Sequence, residues 1–223
     1  MIYDEFATKL QREYELFLFA LSGRYLNLIA PGAAVSPMMV RQMETEGAKM
    51  RDTFLHSATQ RADDFARTYT VAGAQQRSEQ FLSDLKRITT ENIATITQRM
   101  KTGSANTLSG IKHAHGAIGL LLQQKLSNPD FRVKTPKGRS FDAVGYVFAE
   151  ARNFAYLTWI DATLEKIAVT SDLAEVRYPN PEHTANGTVF SISGKTPGYK
   201  TFAEVKLLFH YNSTAFPHDH VPS

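Results

Sequence analysis

Apolar residues recur at intervals of three and four positions through much of the first half of the chain, which is the pattern of amphipathic helices. The first repeat lies in residues 3–22, and its members are Phe6, Leu10, Tyr14, Phe17 and Leu21. Gly23 marks the predicted end of this helix, and the Pro31-Gly32 pair marks a turn after it. The pattern predicts three further helices, over residues 38–70, 75–101 and 107–126.

The apolar stripe is narrow in the second and third of these helices. Ser36 and Pro37 supply an N-cap and a first-turn proline for the second helix. Its sparse apolar positions include Met39, Met43, Met50, Phe54, Phe65 and Tyr69. A stripe this narrow is typical of a helix that is exposed on much of its circumference or that packs on a partner chain. We therefore expect these helices to need a partner that buries their stripes.

The pattern changes after Asn128-Pro129, which ends the helical half. Alternation predicts a strand over residues 131–135. Ser140 is the predicted cap of a long helix over residues 141–167, whose apolar face is the richest in the chain. Beyond this helix the period becomes two and Pro, Gly and Asn punctuate the sequence, which predicts strands over residues 173–178, 188–193 and 205–211. Residues 215–223 have the character of a loosely structured chain end.

These elements predict an α+β protein in two parts. Residues 1–128 form a helical arm or scaffold domain of about four helices. Residues 129–223 form a small domain in which one long helix packs on a short antiparallel sheet. Apolar residues make up 43% of the chain and charged residues 21%, which is ordinary for a folded protein.

Charge, cysteine content and hydropathy exclude several classes of function. The net charge is +3 without a block of like charge, which is weak support for nucleic-acid binding. The chain has no cysteine, so disulfides, thiol nucleophiles and cysteine-ligated zinc are excluded. The apolar run over residues 16–21 is far shorter than the roughly 20 residues of a membrane span, and Asp4 and Glu5 argue against a secretory signal. We expect a soluble protein with no membrane partner and no targeting signal.

No motif of a common enzyme class occurs in the sequence. A phosphate-binding glycine loop, a dinucleotide-binding turn, a zincin helix and a serine-hydrolase elbow are all missing. Glu150 and Asp161 lie on the long predicted helix, where nothing distinguishes them from a solvated face. We therefore predict no catalytic residues and no bound cofactor.

The histidines near the C-terminus are the one candidate for a metal site. They are His183, His210, His218 and His220. In an extended segment the imidazoles of His218 and His220 point to the same side. Three histidines, or histidines with Asp219, would form an acceptable shell for zinc or another non-haem metal. This leaves a His-ligated, metal-dependent hydrolase or nuclease of a phage or prophage as the alternative function.

Several short segments of the second half occur together in a recognisable order. In chain order they are Lys137-Gly138-Arg139, Arg152, Pro181-Glu182-His183, Gly187–Gly194 (GTVFSISG), Tyr199 and His210–Ser213. With them, residues 129–223 resemble the C-terminal region of tailed-phage minor head proteins. The family most similar to them is minor capsid protein 2, and the Mu F-like head morphogenesis proteins are more distant. The Gly187–Gly194 segment is the most specific part of this resemblance.

The chain departs from the family pattern at several positions. Ser213 stands where the family has a cysteine, and no tryptophan lies between His183 and Gly187. The family's fold is often related to the ADP-ribosyltransferase scaffold, whose activity uses a Ser-x-Ser followed by Glu-x-Glu. Ser191-Ile192-Ser193 is present here, but no Glu-x-Glu follows it. The resemblance therefore does not imply that activity.

The resemblance implies a non-enzymatic structural protein of the virion. Such proteins are present in few copies in the phage head, at or near the portal, and they aid head assembly and DNA packaging or delivery. The implied partners are the portal protein, the major capsid protein or both, with weak non-specific contact to packaged DNA. The implied locations are the virion head and, during assembly, the host cytoplasm. The helical first half would then be an arm that binds the portal or the capsid.

Overall fold

The computed structural model describes residues 2–28, 35–69, 74–101, 132–134, 140–210 and 213–220. Most of these residues lie in four long helices: α1 (Ile2–Leu28), α2 (Pro37–Tyr69), α3 (Ala74–Lys101) and α4 (Ala143–Ala168). Together with a four-stranded sheet, these helices confirm the predicted α+β fold with a helical N-terminal half. The predicted helix over residues 107–126 and the predicted boundary between residues 128 and 129 lie outside the described residues.

The chain divides into two compact units. Unit 1 comprises Met1–Ala62 and Glu79–Ala151, and unit 2 comprises Asp63–Ser78 and Arg152–Ser223. Within the described residues, no helix combines the length and the apolar character that crossing a membrane requires.

The core of unit 1 is built by aromatic side chains of α1 and α2. The ring of Tyr14 lies 5.7 Å from that of Phe17 and 5.5 Å from that of Phe54. The Tyr14 hydroxyl accepts a hydrogen bond of 2.7 Å from the side-chain amide of Asn92 on α3, and both residues are fully buried. Six residues of α2 are buried: Val40, Met43, Gly47, Phe54, Ala58 and Ala62. Met43 and Phe54 of the predicted stripe are among them, whereas its other members, Met39, Met50, Phe65 and Tyr69, are only partly buried. The chain itself therefore covers part of this stripe, and a partner that covers the rest stays a prediction.

The first helix continues beyond its predicted end at Gly23. Leu21 and Tyr25 are both fully buried, and the Tyr25 hydroxyl donates a hydrogen bond of 2.8 Å to the carbonyl of Met43. A glycine inside a helix costs only about 1 kcal/mol relative to alanine. The packing on either side of Gly23 outweighs that cost, so α1 ends at Leu28 instead.

A two-stranded hairpin precedes α4. Its strands are β1 (Arg132–Lys134), which confirms the strand predicted over residues 131–135, and β2 (Ser140–Asp142), and they pair in antiparallel register. The predicted cap at Ser140 is wrong because Ser140 belongs to β2. Asp142 caps α4 instead, since its carboxylate accepts a hydrogen bond of 2.7 Å from the backbone N–H of Gly145.

The sheet of unit 2 is centred on β3 (Leu173–Arg177). Its antiparallel neighbours are β4 (Thr188–Ser191) and β6 (Phe216–Asp219). The fourth strand, β5 (Lys200–Thr201), pairs parallel to β4, so the order is β5-β4-β3-β6 and the sheet is mixed rather than wholly antiparallel. β6 lies within the predicted loose end over residues 215–223, so that expectation is wrong for these four residues.

The strand predicted over residues 205–211 is wrong for residues 205–210, and residue 211 lies outside the described part of the chain. The chain forms a short helix there, α5 (Phe202–Val205), followed by a 3-10 turn at Lys206–Leu208. The backbone N–H of Thr201 donates a hydrogen bond of 2.7 Å to the carboxylate of Glu204, which completes a capping box at the helix start. Val205 and Phe209 are both 2% exposed while Leu207 between them is 85% exposed, which fits a helical turn and not a strand, in which all three side chains would share one face.

Candidate functional site

The Gly187–Gly194 segment forms β4 and the turn that follows it. The glycine at each end has a positive φ, 79° at Gly187 and 73° at Gly194, a conformation that other residues rarely adopt. The central Phe190 is fully buried, and its ring lies 5.8 Å from that of Phe202 and 6.1 Å from that of Phe209. The segment therefore supplies a turn at each end and a core side chain in the middle.

Asp172 holds the serines of this segment in place. The Ser191 hydroxyl donates a hydrogen bond of 2.6 Å to Asp172 Oδ2, and the backbone N–H of Ser193 donates one of 2.8 Å to Oδ1. The Thr196 hydroxyl donates to the same carboxylate. The hydrogen bonds from Ser191, Thr196 and Ser193 hold the pKa of the Asp172 carboxyl well below its usual range. Asp172 thus joins the start of β3 to the turn after β4, and these hydrogen bonds favour the ionised form of its carboxyl group.

The Pro181-Glu182-His183 segment forms a loop that is ordered by its own side chains. The His183 ring stacks on Tyr178, with ring centroids 3.6 Å apart and planes inclined by 14°. His183 Nδ1 accepts a hydrogen bond of 3.2 Å from the backbone N–H of Ala185. The Asn186 side chain accepts a hydrogen bond from the backbone N–H of Tyr178 and donates one to the carbonyl of Pro181. His183 is therefore a loop-ordering residue in this structure.

His218, in β6, and His220, just after this strand, both lie near the carboxylate of Glu175. His218 Nδ1 lies 3.8 Å from Glu175 Oε1, and His220 Nδ1 lies 3.6 Å from Glu175 Oε2. Both rings thus face the same residue of β3, as the alternation of an extended segment predicts. Glu175 is 8% exposed and also pairs with Arg177, so its carboxylate is already engaged by a cation.

The four predicted histidines do not come together as one metal-binding set. His210 is exposed beyond the 3-10 turn, where its carbonyl accepts a hydrogen bond of 2.7 Å from the backbone N–H of Ser213. Within the described residues, no three side chains of His, Asp or Glu are grouped so that they could hold a metal ion. The structure brings His218 and His220 to Glu175 and does not gather His183 or His210 with them into such a group.

Glu175 is the residue of this region that the sequence pattern did not single out. Period-two alternation places it on a strand, but its meeting with His218 depends on β6 pairing with β3. That pairing joins segments about 40 residues apart in the chain, and no local pattern specifies it.

Two carboxylates of α4 differ from the solvated face that was predicted. In unit 1, burial raises the pKa of Glu150, and burial also raises the pKa of its neighbour Tyr146 to about 12. The Arg87 guanidinium lies 5.9 Å from the centre of the Tyr146 ring. In unit 2, burial raises the pKa of Asp161, which pairs with Arg77. The prediction of a solvated face is therefore wrong at Glu150 and Asp161.

No protein-family model, no curated protein and no solved structure matches this chain. The resemblance to minor head proteins therefore rests on the motif residues and on their order along the chain.

Proposed function

We propose that this chain is a non-enzymatic minor head protein of a tailed phage, associated with the portal, that aids head assembly and DNA packaging or delivery. The observation that carries the proposal is the Gly187–Gly194 segment, which follows Pro181-Glu182-His183 in the family's order. The Gly187–Gly194 segment matches the family pattern residue by residue.

The roles of the motif side chains support a structural rather than a catalytic use of these residues. Ser191 and Ser193 bind the Asp172 carboxylate through a hydroxyl and a backbone N–H. His183 stacks on Tyr178 and orders its own loop. In each case the side chain or backbone group that matches the family pattern is engaged in a local contact that shapes a turn.

The proposed partners are the portal protein, the major capsid protein or both, with several copies of the chain in each virion. Docking would use side chains exposed on the described surface, because Met43 and Phe54 of the α2 stripe are already buried within unit 1. Exposed large apolar side chains are available in both units, among them Leu16 and Met38 in unit 1 and Val169 and Leu207 in unit 2. Contact with packaged DNA would be weak and non-specific, in keeping with the net charge of +3.

Co-sedimentation with the portal protein of the same genome tests this proposal. We expect the purified chain to sediment with assembled portal rings at saturating stoichiometry, and the charge-conserving Asp172→Glu variant to sediment less because its turn after β4 is displaced. Tyr199→Phe, a change at an exposed side chain of unit 2, is the matched control and should sediment like the wild type. Failure of the wild-type chain to sediment with either portal rings or capsid shells would overturn the proposal.

The alternative, a His-ligated metal-dependent hydrolase or nuclease, has one observation in its favour. His218 and His220 lie 3.8 Å and 3.6 Å from the Glu175 carboxylate, which brings two histidines and one carboxylate near each other, although the three are not arranged as a metal-binding group. Elemental analysis of the purified protein separates the two functions. The enzyme alternative predicts about one metal ion per chain that is lost in the His218→Ala/His220→Ala variant, whereas the structural proposal predicts no stoichiometric metal in either protein.

A further inference from the structure

A groove in unit 1 lies between the C-terminal end of α1 and the N-terminal end of α2. Its volume is about 420 Å³, which is within the range of pockets that bind small ligands or single peptide segments. The side chains that matter for its chemistry are Arg24 and Leu28 from α1 and Met38, Arg41 and Gln42 from α2. We call this feature the α1–α2 groove.

The two arginines of the groove have no carboxylate partner among the described residues. Six other arginines with described side chains on the three N-terminal helices each pair with a carboxylate: Arg12, Arg51, Arg61, Arg67, Arg77 and Arg87. Arg24 and Arg41 form no such pair within the described part of the chain, and they are exposed. The exceptions to an otherwise regular pairing therefore fall in one groove.

The surroundings of the groove leave this positive charge uncompensated. The one carboxylate in the lining, Glu46, is bound by Lys49 at 3.2 Å. The segment that joins α1 to α2, residues 29–36, contains neither Asp nor Glu. The partial positive charge at the N-terminal end of α2 is opposed by the partial negative charge at the C-terminal end of α1, so the helix ends contribute little net charge. The positive charge of Arg24 and Arg41 is therefore what favours an anion.

The remainder of the lining selects the kind of anion. A guanidinium binds a carboxylate through two parallel hydrogen bonds in one plane. Two guanidinium groups in one groove can therefore both donate hydrogen bonds to a single acidic side chain. Leu28 and Met38 form an apolar part beside them, and Met38 is 69% exposed. A nucleic-acid backbone would instead favour a broad row of basic contacts without an apolar wall. The combination fits an acidic side chain next to an apolar one on a protein segment.

We propose that the α1–α2 groove binds an acidic segment of a partner protein. One carboxylate of that segment lies between Arg24 and Arg41, and a neighbouring apolar side chain packs against Leu28 and Met38. This proposal goes beyond a role in the phage head, since it holds for any partner that carries such a segment.

A titration of the isotope-labelled full-length chain, followed by nuclear magnetic resonance, tests this proposal. The probe is the acetylated and amidated peptide Glu-Leu-Glu-Leu-Glu, and the matched neutral probe is Gln-Leu-Gln-Leu-Gln. We expect the acidic peptide to shift the side-chain Nε–H signals of Arg24 and Arg41 saturably. The neutral peptide is expected to bind at least tenfold more weakly, because it lacks the charge-assisted hydrogen bonds.

Substitutions in and outside the groove complete the test. Arg24→Gln/Arg41→Gln should weaken binding of the acidic peptide at least tenfold with an unchanged circular dichroism spectrum. Arg67→Gln, a change outside the groove on α2, should leave the binding affinity unchanged. Three results would each overturn the proposal: no saturable shift, an equal affinity for both peptides, or a short DNA duplex that shifts the same two signals at lower concentration than the acidic peptide.

Discussion

Gly47 lies where α2 closely approaches Tyr25 of α1 and Ile93 of α3, and replacing it with alanine tests how the core of unit 1 is packed. A Cβ added at residue 47 would collide with the hydroxyl of Tyr25 and would lie 2.8 Å from Ile93 Cγ2. The Tyr25 hydroxyl is there because it donates to the carbonyl of Met43, one helical turn before Gly47. The glycine therefore provides the space through which the tyrosine reaches the α2 backbone.

The expected magnitude follows from three opposing contributions. Overpacking in a buried site costs about 1–3 kcal/mol. Displacing the Tyr25 hydroxyl from Met43 costs about 1 kcal/mol, the lower end for a buried group, because that carbonyl keeps its helical hydrogen bond. Replacing glycine with alanine inside a helix returns about 1 kcal/mol. We therefore expect Gly47→Ala to lower the free energy of unfolding by about 1–3 kcal/mol.

Urea unfolding followed by far-ultraviolet circular dichroism measures this change, since the long helices dominate that signal. Tyr25→Phe provides the matched control, because it removes the hydroxyl with which the new methyl group collides. We expect Gly47→Ala to cost less in the Tyr25→Phe background than alone, with a coupling of about 1 kcal/mol in the double-mutant cycle. Strictly additive effects, or a Gly47→Ala protein more stable than the wild type, would refute the account of this contact.

Three further substitutions test the packing of unit 2. Asp172→Asn should lower the melting temperature more at pH 7 than at pH 3. Folding depresses the pKa of Asp172, so the stabilising contribution of its carboxylate is present above the unfolded pKa of about 3.9 and is lost as the pH falls below that value. An equal loss of melting temperature at both pH values in tryptophan-monitored melts would contradict this. Tyr156→Phe should lower the free energy of unfolding in urea by about 1–3 kcal/mol, because the buried Tyr156 hydroxyl donates a hydrogen bond of 2.6 Å to the carbonyl of Ala215. A loss no larger than that caused by Tyr199→Phe would argue against this contribution. Arg77→Met alone should lower the free energy of unfolding more than the double variant Arg77→Met/Asp161→Leu, because the single change leaves a half-buried carboxylate without its partner. The reverse order in urea unfolding would show that the pair contributes little.

The helices of this chain could be predicted because their cause is local. The repeat from Phe6 to Leu21 follows from the helical period, and the buried face of α1 contains the predicted positions. What buries each stripe is not local. Phe54 packs on Tyr14 and Phe17, so the middle of a stripe on α2 that looks too narrow for independent packing is covered by aromatic residues of α1.

The errors in the second half have equally specific causes. Val205 and Phe209 lie in a stretch of apolar and polar residues that fits a strand, but the capping box at Thr201 starts a helix before them. β6 was missed because it contains Pro217 and only one aromatic residue, Phe216. A proline is tolerated there because β6 is an edge strand of the sheet.

The candidate site could be predicted only in part. The positions of His218 and His220 on one side of an extended segment follow from the period of a strand. Their neighbour Glu175 does not, since it comes from a strand that is distant in the sequence. The role of Asp172 likewise cannot be predicted from the local sequence, because the three groups that donate hydrogen bonds to its carboxylate lie 19 to 24 residues further along the chain.

Mass spectrometry of purified phage particles tests the proposed function most directly. Particles filled with DNA should contain this chain in a fixed ratio to the portal protein, at a few copies per portal ring and far below the major capsid protein. The chain should remain after a high-salt wash that removes proteins adsorbed by surface charge. Filled, infectious particles that contain the portal protein but lack this chain would contradict the assignment to the phage head.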